Sequence, residues 1–158
     1  MTDDPKTMTM EQSEAQVEEL EGGYLAHVFS ACGAPLAKTS FVVELTGQWT
    51  KSKDSIRVRC GYGLLYEISK SKKKSTPDEA YFLAHIATID KQRKKASIPI
   101  LMSMAGALMG IGMRTTKLNR AALKVARAIG PITHSDSCEP FDVVKHLTSP
   151  HTRKKLGL

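Results

Sequence analysis

FVVELTGQWTKSKDSIRVRCGYGLLYEIS, residues 41–69, is the stretch whose periodicity decides how the chain is read. Phe41, Val43 and Leu45 alternate with Val42, Glu44 and Thr46, the period-two pattern of a strand, and Gln48-Trp49-Thr50 extends it past Gly47. Lys51-Ser52-Lys53-Asp54 supplies a polar turn. Ile56, Val58 and Cys60 then face one way and Arg57 and Arg59 the other, as in a returning antiparallel strand with a basic outer face. Gly61 and Gly63 flank Tyr62 as at a bulge, and Leu64 to Ile68 resumes as a third strand. A small antiparallel sheet over about 41–69 is the expectation.

Downstream the period changes to that of helices. Lys70 to Ser75 is a basic, serine-containing loop; Thr76 is an N-cap residue, Pro77 suits the first helical position, and Asp78 and Glu79 bring negative charge to the first turn. This predicts a helix from about Pro77 to Lys91, with Phe82, Ile86 and Ile89 inward. Ser97 and Pro99 open an apolar helix over Ile98 to Met113. Thr115 or Thr116 caps the next, which Gly130-Pro131 stops, and Phe141 to Leu147 forms a short last one. Strands followed by helices make the expected fold α+β, a sheet packed by three to four C-terminal helices. Upstream, Gly22-Gly23 closes a segment in which Asp3, Asp4, Glu11, Glu14, Glu18, Glu19 and Glu21 face Lys6 alone. That composition is one of disorder. The expected organisation is an acidic tail over 1–23, a single domain over 24–148 and a basic tail over 149–158 that contains Arg153-Lys154-Lys155.

Charge is the strongest functional signal. The chain of 158 residues has a net charge of +7, yet the acidic start is −6, which leaves +13 on the rest. Between Asp90 and Asp136 there is no acidic residue, whereas Lys91, Arg93, Lys94, Lys95, Arg114, Lys117, Arg120, Lys124 and Arg127 all fall there. A surface held at one sign repels itself and suits a polyanion, nucleic acid or acidic headgroups. At 100° per residue, Leu118, Ala122, Val125 and Ile129 lie within about 60° of one another and Lys117, Arg120, Lys124 and Arg127 within about 80° on the other side. The acidic tail has a second reading, as a mask that competes with the polyanion for this face; its deletion would then tighten binding. No aromatic residue lies between Phe82 and Phe141, so the basic helices offer no stacking platform for single-stranded bases, and no motif for sequence-specific readout is present. Backbone electrostatics remains, salt-dependent and indifferent to sequence.

Within the apolar helix, Ser103, Gly106 and Gly110 share a face that permits close approach of another helix. The segment reads as a packing seam in the core, as a self-association surface or as a shallow membrane-inserting element, with a homo-oligomer expected. Ile98 to Met113 is too short to cross a bilayer.

Enzymatic classes find little support. Gly61-Tyr62-Gly63 lacks the remainder of a dinucleotide fingerprint, and no phosphate loop, GxSxG elbow or HExxH pair occurs. Cys32, Cys60 and Cys138 are an odd, widely spaced set without a CxxC pair, which points to a reducing compartment and away from zinc or disulfides; no metal or other cofactor is expected. With no basic-then-apolar leader, cytoplasm, of the cell or of a host, is the expected location.

The acidic N-terminus, the Trp-bearing hairpin expected at Phe41–Cys60, the apolar segment Ile98–Met113 and the late basic elements together resemble, in size, charge and element order over residues 24–148, the small matrix proteins of plant-infecting rhabdoviruses. The resemblance implies a non-enzymatic virion protein that self-associates, condenses a ribonucleoprotein and contacts the inner face of a membrane. PPxY and P[ST]AP motifs, frequent in animal-rhabdovirus matrix proteins, are missing here. The competing reading is a sequence-independent nucleic-acid-binding accessory factor, of silencing-suppressor or nucleoid type, with no membrane role.

Overall fold

The computed structural model describes residues 4–21, 24–135 and 138–158; the Gly22-Gly23 break, Asp3, and the Asp136 and Ser137 positions lie outside the described residues. Nine α-helices and one 3-10 turn make up the regular structure among them, in two compact units, one ending at Ile68 and the other running from Ser69 to Leu158.

The expected sheet is not there. The described residues contain no strand, only an isolated bridge between Ile132 and Phe141. Residues 41–69 fold as helices α3 (Val42–Trp49) and α4 (Ser55–Lys70), so the α+β fold class is corrected to all-α. The reason lies in which residues are buried. In α3 these are Val42, Leu45, Thr46 and Trp49, at i, i+3, i+4 and i+7, one face of a helix rather than of a strand. Thr46 and Thr50 hydroxyls donate to the carbonyls four residues back (2.7 and 2.8 Å), which satisfies them inside the helix. Asp54, read above as part of a hairpin turn, caps α4: its carboxylate accepts from the N–H groups of Ile56 and Arg57, each at 3.2 Å. Gly61 and Gly63 are not a bulge but contact points of α4. A Cβ on Gly61 would meet the Thr50 backbone nitrogen at 2.8 Å, and one on Gly63 would overlap the Ser30 hydroxyl.

The first unit also holds α1 (Met10–Glu18), α2 (Tyr24–Ser30) and a 3-10 turn (Pro35–Lys38) on which α2 and α3 pack. The acidic segment expected to be disordered thus contains a helix, closed at its start by a capping box between Thr9 and Gln12. Charge fixes it in place. Arg57 on α4 receives Glu14 (2.9 Å), Glu18 (2.9 Å) and Asp54 (3.1 Å) while only 19% exposed, and the Trp49 indole N–H donates to Glu14 at 2.5 Å. Burial alone would lower the Arg57 pKa; the hydrogen bonds it donates to the three carboxylates outweigh that and raise it.

The second unit comprises α5 (Glu79–Gln92), α6 (Ile98–Gly112), α7 (Thr116–Ile129), α8 (Val143–Leu147) and α9 (Pro150–Leu156). Here the expected order of helices stands, with shifted ends. Asp78, not Thr76, is the N-cap of α5, and the supposed basic tail over 149–158 is α9, capped by Ser149 with Pro150 in its first turn. Helix α6 packs on α7 and α8, and α5 on α7. Glu79 at the start of α5 meets Thr115 and Lys117 at the start of α7, while Arg93 after the end of α5 reaches the Ala128 carbonyl near the end of α7. The two helices therefore run side by side in the same direction, the relation between first helices of successive helical hairpins.

Candidate nucleic-acid interface

Helix α7 is built to show one face. Thr115 caps it, accepting from the Leu118 N–H at 3.2 Å, and Gly130 ends it at φ +74°, in the left-handed region that favours glycine. Leu118, Ala122 and Val125 are buried, as the periodicity predicts, together with Asn119 and Ala126. Asn119 carries a job that hydropathy did not reveal: its side-chain amide donates to the Gly112 carbonyl (2.9 Å) and the Leu147 carbonyl (3.3 Å), tying together the ends of α6 and α8. Such an interior polar residue is tolerated because both donors are satisfied. Gly112 completes this seam, since a Cβ there would lie 2.7 Å from a Leu147 methyl group and 3.1 Å from the Ala122 Cβ.

Opposite the buried face stand the four cations of the stripe, all exposed. They are not equivalent. Lys117 is held 3.0 Å from Glu79, whereas Arg120, Lys124 and Arg127 form no ion pair among the described residues. Glu79 is pulled below the usual carboxylate pKa first by the hydrogen bond from Thr115 and then by Lys117. At the far end of α5, Asp90 is lowered chiefly by the hydrogen bond from Arg93 (2.8 Å), with further contributions from the positive charges of Arg93, Lys124 and Lys94. The Arg93 guanidinium also donates to the Ala128 carbonyl at 3.3 Å, so the chain that follows α5 lies beside the C-terminal end of α7. Lys91, Lys94 and Lys95 are all exposed.

Two expected members leave the set. Arg114 is structural: its guanidinium donates to the Ser69 carbonyl (2.5 Å) and the Ser71 carbonyl (3.0 Å) and sits 4.6 Å from the Phe82 ring centroid. Burial lowers its pKa. Arg93 is 19% exposed and spends itself on Asp90 and on the Ala128 carbonyl, a cation at a helix C-terminus. The available cations are therefore Lys91, Lys94, Lys95, Arg120, Lys124 and Arg127, with Lys117 neutralised. Arg153, Lys154 and Lys155 are exposed on α9 as a separate group.

The Ser103, Gly106 and Gly110 face is split. Gly110 is buried, the Ser103 hydroxyl donates to the Pro99 carbonyl (3.1 Å), and only Gly106 has open space where a side chain would be. Gly112 is a close-approach glycine of α6. Among the described residues no group of three or more His, Cys, Asp or Glu side chains could hold a metal ion.

No protein-family model and no curated relative matches the chain. Among solved structures, one described as "A new family of proteins related to the HEAT-like repeat DNA glycosylases with affinity for branched DNA structures" superposes with a TM-score of 0.80 at 14% sequence identity. The alignment takes in 98% of this chain but 66% of the length of that protein. The likeness shows the fold: an all-α helical-repeat architecture of the HEAT-like kind, in accord with the parallel α5 and α7. It overturns the viral-matrix reading, with its virion and membrane association. The Trp-bearing hairpin that carried that reading is the helix pair α3 and α4.

Proposed function

We propose that the chain is a non-catalytic, sequence-independent nucleic-acid-binding protein whose preferred target is branched DNA, held by its phosphate backbone against the α7 face. The observation that carries this is the row Arg120, Lys124 and Arg127, exposed on one helix with no ion pair among the described residues. Solvated helix faces ordinarily mix signs and pair i with i+4; three unpaired cations on one face fit an external counter-charge. Phosphate binding would displace counterions from DNA, which supplies affinity without reading bases. The structural neighbour's described affinity for branched DNA supports DNA over RNA as the target.

The carboxylates beside the stripe are not tuned for general acid–base work, which supports the non-catalytic reading. A general acid or base works best with a pKa near the operating pH. Glu79 and Asp90 are both moved the other way, held ionised by Thr115 and Lys117 and by Arg93. Fluorescence anisotropy with a labelled four-way junction, a linear duplex and a single strand tests the reading. Binding to the first two that weakens steeply with salt and is tighter for the junction supports it. No binding at low salt or binding insensitive to salt overturns it, and equal affinity for junction and duplex overturns the branched-DNA preference.

A further inference from the structure

The second unit carries another cationic element, between α4 and α5. Lys72, Lys73 and Lys74 follow one another, all exposed, with no ion pair among the described residues. Their loop is braced rather than slack. Arg114 holds its start through the Ser69 and Ser71 carbonyls while stacked over Phe82. The Thr76 hydroxyl donates to Ser71 Oγ (2.8 Å), the Lys73 N–H to the same oxygen (3.3 Å), and the Thr76 N–H to the Lys73 carbonyl (3.0 Å). A loop ordered before it binds gives up less entropy when it does.

Its position relative to α7 decides what it can do. The loop runs into the start of α5, where Asp78 and Glu79 follow, and Glu79 takes up Lys117, the nearest cation of the stripe. A negative pair and a neutralised lysine therefore stand between the three loop lysines and the unpaired cations, which begin one turn further along α7 at Arg120. From there to Arg127 the stripe advances about 10 Å along the helix, away from the loop. Two blocks of positive charge separated by a neutralised zone fit two backbone segments better than one continuous strand.

We infer that the Lys72–Lys74 loop is a second DNA-backbone anchor, engaging one arm of a branched DNA while α7 engages another. The inference rests on the α7 reading above. A linear duplex would occupy the α7 face alone, so the loop supplies the preference for a branch.

The test uses the full chain with Lys72→Gln, Lys73→Gln and Lys74→Gln combined, against a four-way junction and a linear duplex of equal base-pair content. Wild type should favour the junction. The triple variant should lose that preference, its junction Kd rising about tenfold and its log–log salt slope falling by about 2 to 3, three phosphate contacts at roughly 0.9 each. Duplex binding should stay within about twofold, with an unchanged unfolding midpoint. Junction binding that persists at wild-type strength, a wild type without junction preference, or an equal loss on both DNAs would overturn the second anchor. The α7 reading has its own arm: Arg120→Glu with Lys124→Glu should weaken both DNAs, and if it weakens neither, that reading fails whatever the loop variant does.

Discussion

The ammonium of Lys117 lies 3.0 Å from the carboxylate of Glu79, so the first cation of the α7 stripe is already answered from within the protein. Arg127, on the same face, has no such partner among the described residues. Lys117→Ala should change duplex affinity by less than about twofold, whereas Arg127→Ala should cost one phosphate contact and lower the salt slope by about 0.9. Glu79→Gln should do the reverse of Lys117→Ala, releasing a cation and tightening binding. Anisotropy titrations at several salt concentrations distinguish these, and equal losses for the two alanine variants would show that Glu79 does not neutralise Lys117.

Two glycines of α6 separate a packing role from an association role. Gly112→Ala places a methyl group 2.7 Å from a Leu147 methyl and should destabilise by about 1–3 kcal/mol through overpacking, read by urea unfolding. Gly106→Ala, with open space around it, should stabilise by up to about 1 kcal/mol from helix propensity. Light scattering on a bulkier Gly106→Leu variant checks the remaining exposed part of the Ser103, Gly106 and Gly110 face: an unchanged mass at all concentrations means that this face does not hold copies together.

Glu14 links α1 to the first unit through both the Trp49 indole and Arg57. Glu14→Ala should cost about 1–3 kcal/mol, because a partly buried charged hydrogen-bond partner is removed, and should shift the emission of the lone tryptophan toward the red. The masking role for the acidic segment would make its deletion tighten DNA binding. Since Glu14 and Glu18 are engaged with Arg57, the outcome expected from the structure is a less stable first unit and an affinity within about twofold of wild type.

Cys60 is fully buried and burial pushes its pKa up to about 12, while Cys32 and Cys138 are exposed. A thiol reagent at pH 8 should therefore count two sulfhydryls in the native protein and three after denaturation. The sign for stability follows: the protonated thiol is the form the fold accepts, so its contribution is complete below the ordinary thiol pKa and is lost as pH climbs from there toward 12. Rapid native reaction of all three cysteines would contradict the packing of Cys60 against the Ala26 carbonyl.

The second unit was largely legible. Caps and breakers at Ser97, Pro99, Thr115, Gly130 and Pro131 fall where α6 and α7 begin or end, because local chemistry there agrees with packing. The first unit was not. Residues 41–69 are rich in Val, Ile, Thr and aromatic side chains, whose intrinsic leaning is toward strands, and a short apolar run satisfies either period. What settles it as helix is the tertiary contact at Gly61 and Gly63, which admit Thr50 and Ser30, together with the local cap at Asp54, a residue type that serves turns and caps alike. For the site, the stripe on α7 could be read from spacing alone. That Arg114 and Arg93 serve carbonyls, and Lys117 a carboxylate, could not, since Ser69, Ala128 and Glu79 are each 35 or more residues distant in sequence.

Contact of Arg120, Lys124 and Arg127 with DNA phosphates is the basis of the proposed binding. Its most direct measurement is the slope of log Kd against log salt for a linear duplex, wild type beside the combined Arg120→Gln, Lys124→Gln and Arg127→Gln variant. The slope should fall by about 2 to 3 while the unfolding midpoint holds. An unchanged slope with unchanged affinity would mean that the α7 face is only solvated.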